Sequence, residues 1–192
     1  MVIPRLRPDN TALFIIDIHE TVMRFADNQE EMLRKCEGML RVAGLLEVPV
    51  VVTEHWVAKF GKTMPQVLEA VPEQGQVIEK VRFSAYSEQV QAVLKQAGRP
   101  NILVAGIEAH ICVLQTTLDL LDAGYHVFLL EDAIGAGEQS QVGPALERMK
   151  RHGAIPTGMV SASYELMEDP NHPAFRSVLG EIKGVLSDLD AL

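Results

Sequence analysis

The sequence contains little cysteine and no long apolar run. The 192 residues include two cysteines, Cys36 and Cys112, so a disulfide-rich scaffold is excluded. No apolar run approaches the roughly 18 residues of a membrane-spanning helix. The opening MVIPRLRPDN lacks the basic-then-apolar pattern of an export signal. We therefore expect a cytoplasmic protein with free thiols and no membrane partner.

Basic residues are outnumbered by acidic ones. The chain carries 17 Lys and Arg against 26 Asp and Glu, which gives a net charge of −9. Nucleic acids would be repelled, so none is expected as a partner, and an anionic substrate would need a local positive group. With 47% hydrophobic residues the composition is typical of a globular protein. We expect a single domain over residues 1–192 that acts on a small molecule.

Short apolar runs alternate with helical patterns along the chain. Most of these runs are apolar throughout, as is typical of strands covered on both faces. The alternation predicts an α/β fold, a three-layer α/β/α sandwich with a mostly parallel six-stranded sheet. The predicted strands are Ala12–Asp17, Pro49–Thr53, Gln76–Glu79, Ile102–Gly106, Tyr125–Glu131 and Ala154–Thr157.

Between the predicted strands lie segments with apolar residues at helical spacing. The first, Glu30–Glu47, places Cys36 on its apolar stripe, which assigns this cysteine to the core. An irregular stretch, Glu54–Pro65, is expected to carry a flap over a site. The other predicted helices are Ser87–Ala97, Ile111–Ala123, Gln139–His152 and a last helix with Pro173 in its first turn.

Polar residues follow the predicted strands. Asp17 closes the first strand, Glu54 follows the second and Lys80 the third, while the turn GIEAHIC leads from the fourth to Cys112. In parallel sheets ligands bind outside the carboxyl ends of the strands. These residues are therefore candidates for one shared site.

The candidate residues fit nucleophilic catalysis. Cys112 begins a predicted helix, whose unpaired amides and dipole lower the pKa of a thiol and could hold an oxyanion. Lys80 would stabilise the thiolate, and Asp17 would act as general acid–base. Each residue also has a structural explanation, since cysteine is commonly buried, aspartate caps turns and lysine is solvated. From these residues alone, both interpretations stand.

Three motifs carry a family resemblance. They are ALFIIDIHE around Asp17, EKVRFSAY around Lys80 and GIEAHICVLQTTLDLLDAGYHV around Cys112. Together they resemble the isochorismatase-like cysteine hydrolases, which include nicotinamidases, N-carbamoylsarcosine amidohydrolases and isochorismatases. The details LLEVPVVVTE and HPAF look closest to the isochorismatase-domain-containing hydrolases of undefined substrate.

The resemblance implies a function and a site. Asp17 would be the catalytic acid–base, Lys80 the catalytic lysine and Cys112 the nucleophile. A non-proline cis peptide is implied at Ile107–Glu108, with an oxyanion hole formed by the backbone N–H groups of Glu108 and Cys112. The activity implied is metal-independent cleavage of a C–N bond in a small amide or related acyl compound through a thioester. Relatives commonly assemble, so a homo-oligomer is expected.

Departures from the family pattern concern metal and substrate. Nicotinamidases hold a metal through an Asp-x-His pair after the second strand, where this chain has Thr53-Glu54-His55-Trp56. We therefore expect no metal and no other cofactor. Glu54 and His55 would instead line the pocket or sit at its rim. The candidates for substrate binding are His19, which could equally be structural, Glu54, and the aromatic residues Trp56, Phe83 and Tyr86, a type more often found in the core near a sheet edge.

Two alternatives to amide hydrolysis remain open. One is isochorismatase-type hydrolysis of a vinyl ether, which needs the aspartate and lysine but forms no covalent intermediate. The other is a non-catalytic binding or scaffold protein that keeps the fold.

Overall fold

The structure is a computed structural model that describes residues 3–24 and 29–186. Its single sheet has the strand order β3-β2-β1-β4-β5-β6, and every adjacent pair is parallel. The predicted six-stranded α/β fold is confirmed, while the ends of the predicted domain, residues 1–2 and 187–192, lie outside the described residues. The strands are β1 Thr11–Ile16, β2 Val50–His55, β3 Gln76–Lys80, β4 Asn101–Gly106, β5 His126–Ile134 and β6 Ile155–Thr157.

The helices connect these strands in the alternation that the sequence predicts. In the described part of the chain, none of them is long and apolar enough to cross a bilayer. They are α1 Glu20–Met23, α2 Gln29–Leu45, α3 Val57–Phe60, α4 Pro65–Ala70, α5 Glu88–Ala97, α6 Leu114–Asp122, α7 Val142–Arg151, α8 Met159–Met167 and α9 Phe175–Val185.

Two helix predictions need correction, and one helix was missed. The predicted helix at Ile111–Ala123 is preceded and partly replaced by a π-helical segment, Ala109–Val113, before α6 begins. Pro173 lies outside the last helix, since Ala174 is the N-cap of α9. Helix α8 was not predicted; its first backbone N–H, that of Met159, is capped by the carboxylate of Asp132 at 3.0 and 3.1 Å.

Hydrophobic cores lie on both faces of the sheet because successive side chains of a strand point to opposite sides. On β1, Leu13 and Ile15 pack with α2, α8 and α9, whereas Phe14 and Ile16 pack with α5, α6 and α7. Cys36 lies in the first core, fully buried, and its thiol donates to the carbonyl of Ala133 at 3.6 Å. Its assignment to the core is confirmed.

The stretch Glu54–Pro65, predicted to be irregular, is largely ordered. It contains the end of β2, the one-turn helix α3 and the start of α4. The backbone N–H of Thr63 donates to Glu54 Oε1 at 2.8 Å, and the hydroxyl of Thr21 donates to the carbonyl of Phe60 at 2.8 Å. The first bond ties the segment after α3 to the end of β2, and the second ties the end of α3 to α1. The stretch predicted to be a flap is therefore held by hydrogen bonds at both places.

Gly106, at the end of β4, is paired with Ile16 of β1. Gly106 has a φ of +127°, and a Cβ at this position would overlap the backbone of Ile16. Only glycine combines this backbone conformation with this approach. The turn that follows β4, and leads to Cys112, therefore depends on the missing side chain.

Replacing Gly106 with Ala should lower the free energy of unfolding by about 3 kcal/mol or more, because the backbone must shift to relieve the overlap. Urea denaturation followed by circular dichroism measures the change. The control is Gly143→Ala in α7, where a methyl group meets no atom within 4 Å. That variant should be neutral or stabilised by up to about 1 kcal/mol. Equal effects at the two positions would contradict this explanation.

Candidate active site

The carboxyl ends of three strands bring Asp17, Lys80 and Cys112 together. Asp17 follows β1, Lys80 ends β3, and Cys112 lies in the π-helical segment after β4. The ammonium of Lys80 is 2.5 Å from Asp17 Oδ2 and 3.8 Å from Cys112 Sγ. The three side chains therefore share one site, although they are far apart in the sequence.

Lys80 is fixed in place by the loop that follows its strand. Its ammonium donates to the carbonyl oxygens of Arg82 and Phe83, each at 3.0 Å, and lies 3.5 Å from His55 Nδ1. The side chain of Lys80 is almost fully buried. The ammonium is therefore surrounded by acceptors and held beside Asp17.

Asp17 is held from two sides. Its Oδ1 accepts a hydrogen bond from the hydroxyl of Thr53 at 2.8 Å, while Lys80 contacts Oδ2. Thr53 was not identified from the sequence as part of the site. The available signal in the sequence was its position at the end of the predicted second strand. In the structure it pairs with Ile16, the residue before Asp17.

The pKa of the Cys112 thiol is raised, whereas the sequence predicted that it would be lowered. Burial, and next the Asp17 carboxylate, raise its pKa to about 12, while the Lys80 ammonium and the backbone N–H of Glu108 act in the opposite direction. The expectation of a lowered pKa is wrong, because the residue is only 5% exposed. At neutral pH the free protein therefore carries a protonated thiol with a carboxylate close by.

The turn before Cys112 has an unusual backbone. The Ile107–Glu108 peptide is cis, as the resemblance implies. Both carboxylate oxygens of Glu108 accept from the backbone N–H of Gly137 at 3.1 Å, and Oε2 lies 3.6 Å from His110 Nδ1. The side chain of Glu108 thus ties the turn to the loop after β5, while its backbone N–H lies near the sulfur of Cys112.

Two histidines and two phenylalanines also surround the site. His19 Nε2 accepts a hydrogen bond from the backbone N–H of His55 at 2.8 Å. The ring of His55 stacks on Phe60, with centroids 5.2 Å apart, and lies 5.6 Å from the ring of Phe83. Burial, and then Lys80, lower the pKa of His55.

These groups enclose a cavity of about 150 Å³ over Cys112. Of the proposed substrate-binding residues, His19 and Phe83 line it. Val22, His55, Phe60 and Ile111 also line it. His55 and Phe60 lie in the stretch Glu54–Pro65, which was expected to carry a flap over a site, whereas Val22 and Ile111 gave no signal beyond being apolar residues in or near the motifs. The full lining is Asp17, His19, Val22, His55, Phe60, Phe83, Ile107, Glu108, Ile111 and Cys112.

Three other proposed substrate-binding residues do not line this cavity. Glu54 is buried and accepts the backbone N–H of Thr63. Trp56 is 43% exposed, with the ammonium of Lys59 5.0 Å from its ring centroid. Tyr86 packs edge-on against Tyr125 at 6.2 Å. The structure thus separates these side chains from the nucleophile.

The residues at the nicotinamidase metal position do not fit a metal site. The Glu54 carboxylate is used by Thr63, and the ring of His55 is stacked between aromatic side chains with its Nδ1 facing Lys80. Within residues 3–24 and 29–186, no group of three or more His, Cys, Asp or Glu side chains could hold a metal ion.

Comparison with known proteins identifies relatives over nearly the whole chain. A sequence model of the isochorismatase domain matches residues 11–160. The secreted isochorismatase effector Isc1 of Phytophthora sojae is 35% identical over 184 residues, covering 93% of this chain and 87% of that protein. Among solved structures, the MAR1 ribonuclease of Caenorhabditis elegans superposes with a TM-score of 0.90 at 31% identity, covering 93% of this chain and 92% of its own.

A more distant solved structure has the same fold. The YcaC gene product of Escherichia coli, described as an octameric hydrolase of unknown specificity, has a TM-score of 0.84 at 18% identity, covering 97% of this chain and 91% of its own. Because Isc1 is described as secreted, the cytoplasmic location expected here stays a prediction.

The raised pKa of Cys112 has a kinetic consequence. We expect its alkylation by iodoacetamide in the free protein to accelerate continuously from neutral pH to about pH 10, because the thiolate fraction grows throughout that range. Intact-mass measurements with peptide mapping give the rate constant at each pH. A plateau near neutral pH would indicate a lowered pKa and contradict the structure.

Replacing Asp17 with Asn should shift the pH profile of Cys112 alkylation to lower pH, since the carboxylate is a cause of the raised pKa of the thiol. Lys80→Met should shift the profile to higher pH, because the ammonium lowers that pKa. The same alkylation assay measures both variants, with circular dichroism confirming their fold. Profiles that do not move, or that move in the same direction, would exclude this electrostatic account.

Proposed function

Since the chain belongs to the isochorismatase family and has its hydrolase fold, we propose that it is a cysteine hydrolase. The proposed reaction is metal-independent cleavage of a C–N bond in a small amide or related acyl compound, through a thioester on Cys112. The observation that supports it best is the contact of Lys80 with both Asp17 and Cys112. A thiol, a carboxylate and an ammonium at this separation are the components of nucleophilic acyl transfer.

The first step transfers the thiol proton to Asp17 as the sulfur of Cys112 bonds to the carbonyl carbon. The raised pKa of the thiol means that this proton leaves only when the base is adjacent and the sulfur attacks. Lys80 keeps its ammonium beside both groups and offsets the negative charge on the sulfur as it attacks. Proton transfer and attack are therefore coupled, and no free thiolate accumulates.

The carbonyl oxygen becomes an oxyanion as the C–S bond forms. The backbone N–H groups of Glu108 and Cys112 would donate to it, in a turn that the Glu108 side chain ties to Gly137. Asp17 then returns the proton to the nitrogen as the C–N bond breaks, releasing the amine and leaving a thioester. Donors of this kind contribute about 3 kcal/mol each to transition-state stabilisation.

Hydrolysis of the thioester repeats the sequence with water. Asp17 removes a proton from the water molecule, whose oxygen attacks the thioester carbon and forms a second tetrahedral intermediate. The C–S bond breaks, the proton returns to the sulfur, and the carboxylic acid leaves. One carboxylate thus acts twice as base and twice as acid, which requires it to stay buried beside the sulfur.

The relatives' names do not agree on a substrate, so none is carried over. One relative is described as an isochorismatase effector and another as a ribonuclease. A ribonuclease binds a polyanion, for which a chain with a net charge of −9 is poorly suited. The vinyl ether alternative leaves Cys112 without a chemical role, although it lies in contact with Lys80.

Replacing Cys112 with Ala should reduce amide hydrolysis by about a thousandfold or more, because no nucleophile remains. Ammonia release from a panel of small amides measures the loss, and Cys112→Ser is the matched control that keeps a weaker nucleophile. Acid-quenched wild-type protein should carry an acyl mass adduct that hydroxylamine removes. Full activity in the alanine variant, or turnover with no adduct on Cys112, would favour a route without a thioester.

Self-association is the remaining part of the proposal. Exposed apolar side chains lie on the edge strand β3 and just beyond it, at Val77, Val81 and Phe83, which supports burial against another subunit. Light scattering after size exclusion should therefore give a mass of at least twice the 21.2 kDa of one chain. A monomer at micromolar concentration would remove this part of the proposal and leave the chemistry unchanged.

A further inference from the structure

The carboxylates and ammonium or guanidinium groups that line the cavity are of one sign. Its described lining contains the carboxylates of Asp17 and Glu108 and no lysine or arginine. Glu108 lies close to its partners Gly137 and His110, but these are a neutral amide and an imidazole. Because Asp17 is paired with Lys80, the carboxylate of Glu108 is the main negative charge that an anionic ligand would meet at this wall.

Lys80 offsets the charge of Asp17 but offers no free donor to a ligand. Lys80 is not among the lining residues of the cavity, and its ammonium is used by Asp17 and by the carbonyl oxygens of Arg82 and Phe83. An anionic ligand could bind it only by breaking the ion pair with Asp17. The ammonium of Lys80 therefore interacts with Asp17 and the loop and is not available to a ligand.

The two lining histidines do not supply a positive charge either. An imidazolium has no acceptor nitrogen, and His19 accepts the backbone N–H of His55 through Nε2. This fixes His19 as the neutral tautomer with its proton on Nδ1. For His55, burial and Lys80 lower the pKa, which also favours the neutral ring.

The remaining walls are apolar, and the space is small. Val22, Ile107 and Ile111 contribute aliphatic surface, and Phe60 and Phe83 contribute ring faces. The volume of about 150 Å³ is well below the roughly 300 Å³ at which ordinary ligand pockets begin. Such a space suits a compact acyl group without a hydration shell.

We infer that this cavity selects neutral substrates with a small apolar acyl group and rejects those whose acyl group carries a negative charge. The inference rests on the proposed function, because it takes the cavity over Cys112 as the substrate site. It narrows the substrate class to uncharged amides of short-chain or small-ring carboxylic acids. Dicarboxylic acid half-amides and phosphate-bearing compounds are excluded by the same wall.

Alkylation tests this selectivity without requiring turnover. Iodoacetamide and iodoacetate have nearly the same shape, but the first is neutral and the second is an anion. Their rate constants at Cys112, each divided by that for N-acetylcysteine amide, should differ by about tenfold or more in favour of iodoacetamide. Cys36 is fully buried and serves as the internal control for unfolding.

Equal normalised rates, or faster reaction with iodoacetate, would overturn the inference. If neither reagent reacted with Cys112 in folded protein even at about pH 10, where the thiolate fraction is larger than at neutral pH, the nucleophile would be out of reach, and the proposed function would fall with the inference. Selective alkylation without hydrolysis of any amide would remove the proposed function and leave the charge selectivity of the cavity. The outcomes therefore separate the two claims.

A positive charge introduced into the cavity wall should reduce the preference for the neutral reagent. Val22 is half-buried at the cavity, on the short helix α1, so Val22→Lys introduces a cation with a flexible stem. Compared with the uncharged control Val22→Met, it should shift the normalised ratio toward iodoacetate by about tenfold. No shift in a folded Val22→Lys protein would mean that wall charge does not set the selectivity.

Substrates give the corresponding comparison for turnover. Isovaleramide and malonamate are similar in size, but only malonamate carries a carboxylate. In the wild type, kcat/KM for isovaleramide should exceed that for malonamate by about a hundredfold or more, since an anion entering an apolar cavity loses its hydration. Val22→Lys should narrow that ratio relative to Val22→Met. A wild type that hydrolyses malonamate as well as isovaleramide would contradict the inference.

Discussion

The buried ion pair between Lys80 and Asp17 is the interaction on which the rest of the site depends. An ammonium and a carboxylate removed from water are stable only when they are close together and their other positions are satisfied. Here Thr53 and the carbonyl oxygens of the loop after β3 supply those partners. The two charges offset each other, and the described lining of the cavity above them contains no lysine or arginine. Burial, and next the Asp17 carboxylate, raise the pKa of the thiol beside them, so the thiol keeps its proton.

Sequence reasoning predicted the sheet because its strands are buried on both faces and therefore read as uninterrupted apolar runs. It also predicted that Asp17 and Lys80 would meet near Cys112, since all three follow strands and the carboxyl ends of parallel strands share an edge. The order of strands did not follow from the sequence. The contact of Lys80 with Asp17 requires β2 and β1 to be neighbours, with β3 beyond them.

Features that depend on exact distances could not be predicted. The position of Cys112 at a helix start indicated a lowered pKa, but burial and the carboxylate outweigh the helix start. Likewise, Trp56 and Phe60 are both aromatic residues after β2, and only the turn of α3 decides that Phe60 lines the cavity while Trp56 faces solvent. The tautomer of His19 depends on one backbone N–H, that of His55.

The position of Lys80 on the edge strand has a further consequence. β3 is paired on one side only, with β2, whereas Asp17 and Cys112 follow the central strands β1 and β4. Edge strands exchange their amide protons and fray before the middle of a sheet opens. The ammonium can therefore separate from its partners while the hydrophobic cores remain folded. A subunit packed on this edge would oppose the local opening and keep the ammonium beside Asp17 and Cys112.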